Sequence, residues 1–222
     1  FESFEKSTGI RVNVVQAGAD ELLERLKAEG ARSPADLLVT VDVGRLLHAS
    51  DLGLLQPVSS QILEAAVPAH LRDPEGRWFG LTQRARVIVY SRERVKPAEL
   101  STYEDLADPR WRGRLLVRSS SSIYNQSLLA WMIAAAGEQA AAAWARGVAR
   151  NLAQQPKGAD RDQVVAIAAG QGDVALVNTY YVGLLLDSRD PEQRKAGEAV
   201  GVFFPPQTHV NVSGAGITAG AP

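Results

Sequence analysis

The residues best suited to chemistry in this chain are phenols. Five tyrosines occur among 222 residues, and two of them, Tyr180 and Tyr181, stand side by side in VALVNTYYVGLLL (174–186). A tyrosine hydroxyl titrates near pH 10, so a phenolate at neutral pH needs something to stabilise its charge. A bound metal ion does this by lowering the pKa of its ligands. A small hard cation such as ferric iron prefers anionic oxygen, and tyrosinate holds the iron of catalase haem. The other use of adjacent tyrosines is a half-buried packing pair. On spacing alone the packing pair is the commoner use, and the third tyrosine is what shifts the balance.

A third tyrosine, Tyr124, occupies a comparable place. RLLVRS (114–119) reads as a strand, followed by a serine run and the helix IYNQSLLAWMIAAAG. DVALVN reads as a strand running straight into the helix that carries Tyr180 and Tyr181. In α/β sheets ligands gather at the carboxyl ends of strands, and a helix N-terminus favours the charged form of a phenol. Ser121 and Ser122 offer hydroxyls and helix-start N–H groups to an anion, and Asn178 can do likewise. Arg84 and Arg86 are two residues apart in LTQRARVIVY, hence on one face of a strand. A guanidinium holds a carbonate or carboxylate through two parallel hydrogen bonds and would offset the charge of clustered phenolates. The bland readings of these groups are a solvated loop with an N-cap and an exposed strand face.

Composition removes several alternatives. The formal net charge is −1, which gives no reason to expect nucleic acid or another polyanion. The absence of cysteine excludes disulfides, thiolate metal sites and a cysteine nucleophile. His48, His70 and His209 show no ligand spacing and read as surface or packing residues, His48 on a leucine-rich helix. No G-x-S-x-G, H-E-x-x-H or Walker A motif is present. GQGDVA (170–175) follows a helix and precedes a strand, the reverse of the order pyrophosphate binding needs, and reads as a helix stop and turn. No run of about 18 apolar residues occurs.

The elements that must carry these residues alternate between strand and helix, which makes the class α/β. IRVNVVQ (10–16) alternates like a strand. GADELLERLKAEG (18–30) reads as a helix capped by Asp20, with Glu21 and Arg25 paired and Gly30 as its stop. ADLLVTV (35–41) reads as a buried strand, and DVGRLLHASDLGLLQP as a short helix and turn. RWFGLTQRARVIVYSRERV (77–95) is a long extended segment. STYEDLADPRWRG has capping-box spacing from Ser101 to Glu104 and predicts a short helix. EQAAAAWARGVARNL (138–152) is a second alanine-rich helix. AVGVFFPPQ (199–207) and THVNVSGAGIT are further strands. FESFEKSTGI opens like the second half of a helix stopped by Gly9, and NVSGAGITAGAP ends on a glycine-rich strand. Both ends read as cut from a longer chain.

FEKSTGI, GLTQRARVIVY, SSSIYNQSLLA, GDVALVNTYYVGLL and HVNVSGAGIT, in this order, resemble the periplasmic ferric-ion-binding proteins of bacterial iron ABC transporters, and most closely their multi-tyrosine branch. The double tyrosine is the specific feature; DVGR is less so. The resemblance implies a two-lobed, transferrin-like binding protein of type II-like fold, with mixed sheets and hinge crossovers near 83–91 and 203–212. It places residues 1–84 in a first, incomplete lobe to which 210–222 return, and residues 85–209 in a second lobe carrying the tyrosines. It implies Tyr124, Tyr180 and Tyr181 as Fe(III) ligands and Arg84 as the arginine that holds a synergistic anion such as carbonate. Arg86, Asn178, Ser121 and Ser122 would lie near that anion. The implied partner is an ABC permease in the inner membrane, and the implied location periplasmic, or lipid-anchored outside a Gram-positive cell, as a monomer that is no enzyme. The same architecture in relatives takes thiamine, polyamines or phosphonates, with the tyrosines then acting as walls. A tyrosine general acid or base is the enzymatic alternative, and no paired carboxylate or histidine supports it.

Overall fold

The computed structural model describes residues 1–222. The chain forms two compact units, one made of Phe1–Leu81 with Gly214–Pro222 and the other of Thr82–Ser213. The boundaries fall after Leu81 and after Ser213, which places Arg84 together with Arg86 in the unit of the tyrosines.

The first unit holds α1 (Glu2–Thr8), α2 (Ala19–Glu29), β1 (Leu37–Thr40), α3 (Val43–Asp51) and α4 (Gln61–Ala66), with the start of β2 (Phe79–Ser91). The end of β6 (Val210–Ile217) returns to pair antiparallel with β1, Leu37 opposite Ile217 and Thr40 opposite Gly214. Glycine is needed on this return. A Cβ at Gly214 would lie 2.5 Å from the Phe79 carbonyl oxygen, and one at Gly216 2.5 Å from that of Arg77. Leu23, Leu26, Leu38, Leu46, Ala49, Leu55 and Trp78 form the core.

Several expectations fail in this unit. IRVNVVQ forms no strand: nothing pairs with it, and Ile10, Val14 and Val15 lie exposed. ADLLVTV is buried on one face only, with Leu37 and Val39 outward and Leu38 and Thr40 inward. Asp20 does not cap α2, whose N-cap is Gly18; its carboxylate instead accepts two hydrogen bonds from Arg45, at 2.8 and 3.1 Å. Arg25 pairs forward with Glu29 at 2.7 Å, not back with Glu21.

The second unit is a sheet with helices on both faces. β2 lies between β4 (Val174–Asn178) and β5 (Val200–Phe203), antiparallel to each, and β3 (Leu115–Leu116) runs parallel to β4. The helices are α5 (Ile123–Ala136), α6 (Glu138–Asn151), α7 (Asp160–Ala168), α8 (Thr179–Leu186) and α9 (Pro191–Glu198). β2 is buried on both faces, and its side chains alternate between two cores. Ile88 and Tyr90 join Trp111, Leu128, Met132, Val174 and Leu176. Val87 and Val89 join Val164, Ile167, Ala175, Val177 and Leu185. RLLVRS yields only a two-residue strand. The capping box predicted at Ser101 is replaced by a Thr102 hydroxyl accepting from the Asp105 N–H at 3.3 Å, and two 3₁₀ turns follow in place of a helix.

Candidate metal centre

Three rules of chain geometry bring the site together within the second unit. β3 and β4 are parallel, so the helices that follow them, α5 and α8, both begin at the same end of the sheet. β2 is antiparallel to β4, so its early residues, Arg84 and Arg86, lie at that end too. The register sets Arg86 opposite Asn178, the last residue of β4, and residues paired across strands project to one face.

Tyr124 and Tyr180 meet there, with their hydroxyl oxygens 3.3 Å apart. Tyr181 stacks on Tyr180 with ring centroids 4.2 Å apart and planes inclined by 31°. Two neighbouring oxygens on an octahedral ion with bonds of ~2.0 Å lie about 2.8 Å apart, so the first pair is close to the span one small cation requires. Burial raises the Tyr180 pKa, and its hydrogen-bonding neighbours, the phenols of Tyr124 and Tyr181, raise it further. With no cation present Tyr180 is therefore a neutral phenol at physiological pH. No group of three or more His, Cys, Asp or Glu side chains is placed to hold a metal.

Positive charge surrounds Tyr124. The guanidinium carbons of Arg84 and Arg118 each lie 5.2 Å from its ring centroid, and that of Arg86 6.0 Å away. A small pocket opens beside the ring, lined by Arg84, Arg86, Asn178, by His209, which the sequence read as a surface or packing residue, and by two residues the sequence did not single out, Ser127 and Asn211. Arg84 donates to the Ser213 hydroxyl at 3.1 Å. The Ser127 hydroxyl lies 3.0 Å from His209 Nε2 and accepts from Asn211 Nδ2. His209 is thus a site residue and not merely a packing one. Burial, and the nearby charges of Arg84 and Arg86, push its pKa down to about 4, so its imidazole is neutral. Two patterns could have flagged these residues. Ser127 lies one helical turn beyond Tyr124, and His209, Asn211 and Ser213 alternate on one face of an extended segment.

The serine run is placed differently from the expectation. Ser122 caps α5, accepting from the Tyr124 N–H at 3.4 Å. The hydroxyl of Ser121, an exposed residue, pairs with that of Ser119 at 2.8 Å. Neither serine lines the pocket. Asn178 makes no side-chain cap on α8; its Oδ1 accepts from Arg86 at 3.3 Å, and its Nδ2 is buried without a partner.

Beneath the pocket lies a buried ion pair. Arg86 is 1% exposed and Asp160, the first residue of α7, 0%. Asp160 Oδ2 accepts from both Arg86 Nη1 and the Asn178 backbone N–H, the latter at 2.8 Å. Arg118 approaches Asp160 Oδ1 at 3.5 Å, and Arg86 Nη2 donates to Asn125 Oδ1 at 2.7 Å. A buried charge pair of this kind contributes little net stability, but removing one partner strands the other charge.

The bacterial extracellular solute-binding protein family matches residues 32–207. The chain is 55% identical to iron uptake protein A1 of a Synechocystis species over its whole length, and spans 63% of that relative. Among solved structures, it superposes on a Trichodesmium protein (IdiA, FutA) in complex with iron and citrate at a TM-score of 0.91 and 51% identity, covering 100% of this chain and 71% of that one. It also superposes on the ferric binding protein from Campylobacter jejuni at a TM-score of 0.94 and 45% identity, covering 99% and 71%. An α/β unit whose chemistry collects at one sheet end, together with a match over most of its length, makes this chain a member of the bacterial extracellular solute-binding protein family.

Proposed function

We propose that this chain captures ferric iron together with an anion, outside the cytoplasm and through Tyr124, Tyr180 and Tyr181, for delivery to an ABC permease in the inner membrane. The observation that carries the reading is the meeting of the Tyr124 and Tyr180 hydroxyls at 3.3 Å, with Tyr181 stacked on the second and Tyr124 also lining a pocket with Arg84 and Arg86. The relatives that bind iron lend it support.

Charge accounts for the parts. A trivalent ion cancels three phenolates. Around Tyr124 stand Arg84, Arg86 and Arg118 against the one carboxylate of Asp160, a surplus of two positive charges. A carbonate or a small carboxylate would balance much of that surplus, accepting from Arg84 and Arg86 in a forked pattern. The buried, unpartnered Nδ2 of Asn178 faces the same requirement for an acceptor. The neutral imidazole of His209 adds no further charge. The reading is of carriage and not of catalysis.

Ferric titration of the purified protein tests it. Iron held by tyrosinate gives a visible ligand-to-metal charge-transfer band, and Tyr181→Phe should weaken or abolish it. Colourless binding, or a band that Tyr181→Phe leaves unchanged, refutes the assignment. In that case the tyrosines are walls for an organic ligand.

A further inference from the structure

Asp160 lies at the start of α7, away from the tyrosine segments in sequence, and it is fully buried. Its Oδ2 is shared between two elements that build the site. One is Arg86 on β2 and the other is the backbone N–H of Asn178, two residues before Tyr180. Its Oδ1 faces Arg118, whose backbone carbonyl accepts from Asn125 on α5, the helix of Tyr124. Asn125 in turn accepts from Arg86. A single carboxylate therefore links β2, the β4–α8 junction and the approach to α5.

We propose that Asp160 is the positioning residue of this centre, fixing the start of the Tyr180–Tyr181 helix against Arg86 and so setting Tyr180 relative to Tyr124. The inference rests on the ferric reading only for its metal readout. The competing account, in which Asp160 acts by charge alone, predicts the opposite effect. Losing the negative charge that offsets Arg86 and Arg118 near Tyr124 would favour a phenolate there and tighten iron binding. Loss of an outer partner that orients ligands instead weakens metal binding by about 10–100-fold.

Two variants and two readouts separate these accounts. Asp160→Asn keeps the shape and removes the charge. Asn125→Ala releases the other end of Arg86 and leaves every charge in place. Iron affinity is measured by competition with nitrilotriacetate, and the approach of the hydroxyl ends of Tyr124 and Tyr180 by NMR cross-relaxation between their ring protons next to the hydroxyls in the metal-free protein. Asp160→Asn should bind iron about 10–100-fold more weakly and lose this cross-relaxation, and Asn125→Ala should move both readouts in the same direction by less. Unchanged or tighter iron binding with the cross-relaxation intact in Asp160→Asn overturns the proposal. If Asp160→Asn does not fold, the same result in Asn125→Ala overturns it. A wild type that binds no iron, with the Tyr124–Tyr180 cross-relaxation still lost in the variants, refutes the ferric reading and leaves the positioning role standing.

Discussion

In Tyr180→Phe the hydroxyl 3.3 Å from Tyr124 disappears, while the ring that stacks on Tyr181 remains. The fold should be untouched, so the variant isolates one oxygen. A phenol with a pKa near 10 gives up its proton at pH 7 at a cost of ~4 kcal/mol, or ~12 kcal/mol for three. For Tyr180 the cost is greater, because burial and the adjoining phenols raise its pKa above the ordinary value. Iron must supply this energy, so binding through three phenolates releases three protons and weakens by about a thousandfold per pH unit of acidification. With Tyr180 gone the dependence falls to about a hundredfold. The measurement is competition with nitrilotriacetate between about pH 5.5 and 7.5. Iron hydrolysis and the chelator's own titration cancel in the ratio of variant to wild-type dissociation constants. That ratio should grow about tenfold for each pH unit of rise. A ratio that is flat across the range means Tyr180 surrenders no proton to the metal, and the three-phenolate reasoning fails.

Other outcomes follow from the same geometry. His209 stays neutral in the folded protein down to about pH 4, whereas in the unfolded chain it takes up a proton below about pH 6.5. The unfolded state therefore binds more protons in that window, and folding stability falls as pH drops from about 6.5 to 4, by up to ~3 kcal/mol less what residual water contact removes. Urea unfolding of His209→Gln should lack this part of the slope. Tyr103→Phe deletes a buried hydroxyl that donates to the Arg86 carbonyl and accepts from the His209 N–H at 3.1 Å. Stranding those groups should cost about 1–3 kcal/mol in denaturant melts and leave the iron band in place. Gly147→Ala improves helix propensity by ~1 kcal/mol, yet its Cβ would sit 2.5 Å from that of Ala107. Overpacking of about 1–3 kcal/mol should exceed the gain, and the melting temperature should fall.

What the sequence revealed, and what it hid, divides along the range of the interaction. The tyrosine-bearing helices α5 and α8 were legible because an apolar strand precedes each, a local pattern. That both begin at one sheet end rests on the parallel pairing of β3 with β4, which alternation of strand and helix suggests but does not require, since β2 is antiparallel to β4 and β5. Arg84 and Arg86 were legible by their spacing of two. IRVNVVQ has a strand's alternation without a ladder partner, and alternation alone cannot supply one. Asp20 looked like a cap until Arg45, 25 residues on, took its carboxylate. Asp160 and Asn178 are 18 residues apart, and Asp160 and Arg86 74. No local rule marks an aspartate as the buried partner of such distant groups.

The donor set itself bears on selectivity. Tyr180 cannot ionise unaided, because burial and the neighbouring phenols of Tyr124 and Tyr181 raise its pKa. Three guanidiniums stand near Tyr124, but Asp160 holds Arg86 and draws Arg118 as well, so Tyr180 stays protonated until a cation arrives. The ~12 kcal/mol of deprotonation is then a threshold that the ion must exceed. At equal distance a trivalent ion attracts each phenolate one and a half times as strongly as a divalent one, since the Coulomb energy is linear in charge. Carboxylates ionised at neutral pH would impose no such threshold and would admit calcium or magnesium. On the proposed ferric reading, a centre without an acidic or histidine cluster follows the same logic as the tyrosines: ligands that are expensive to ionise would favour a small, highly charged ion, which returns the cost.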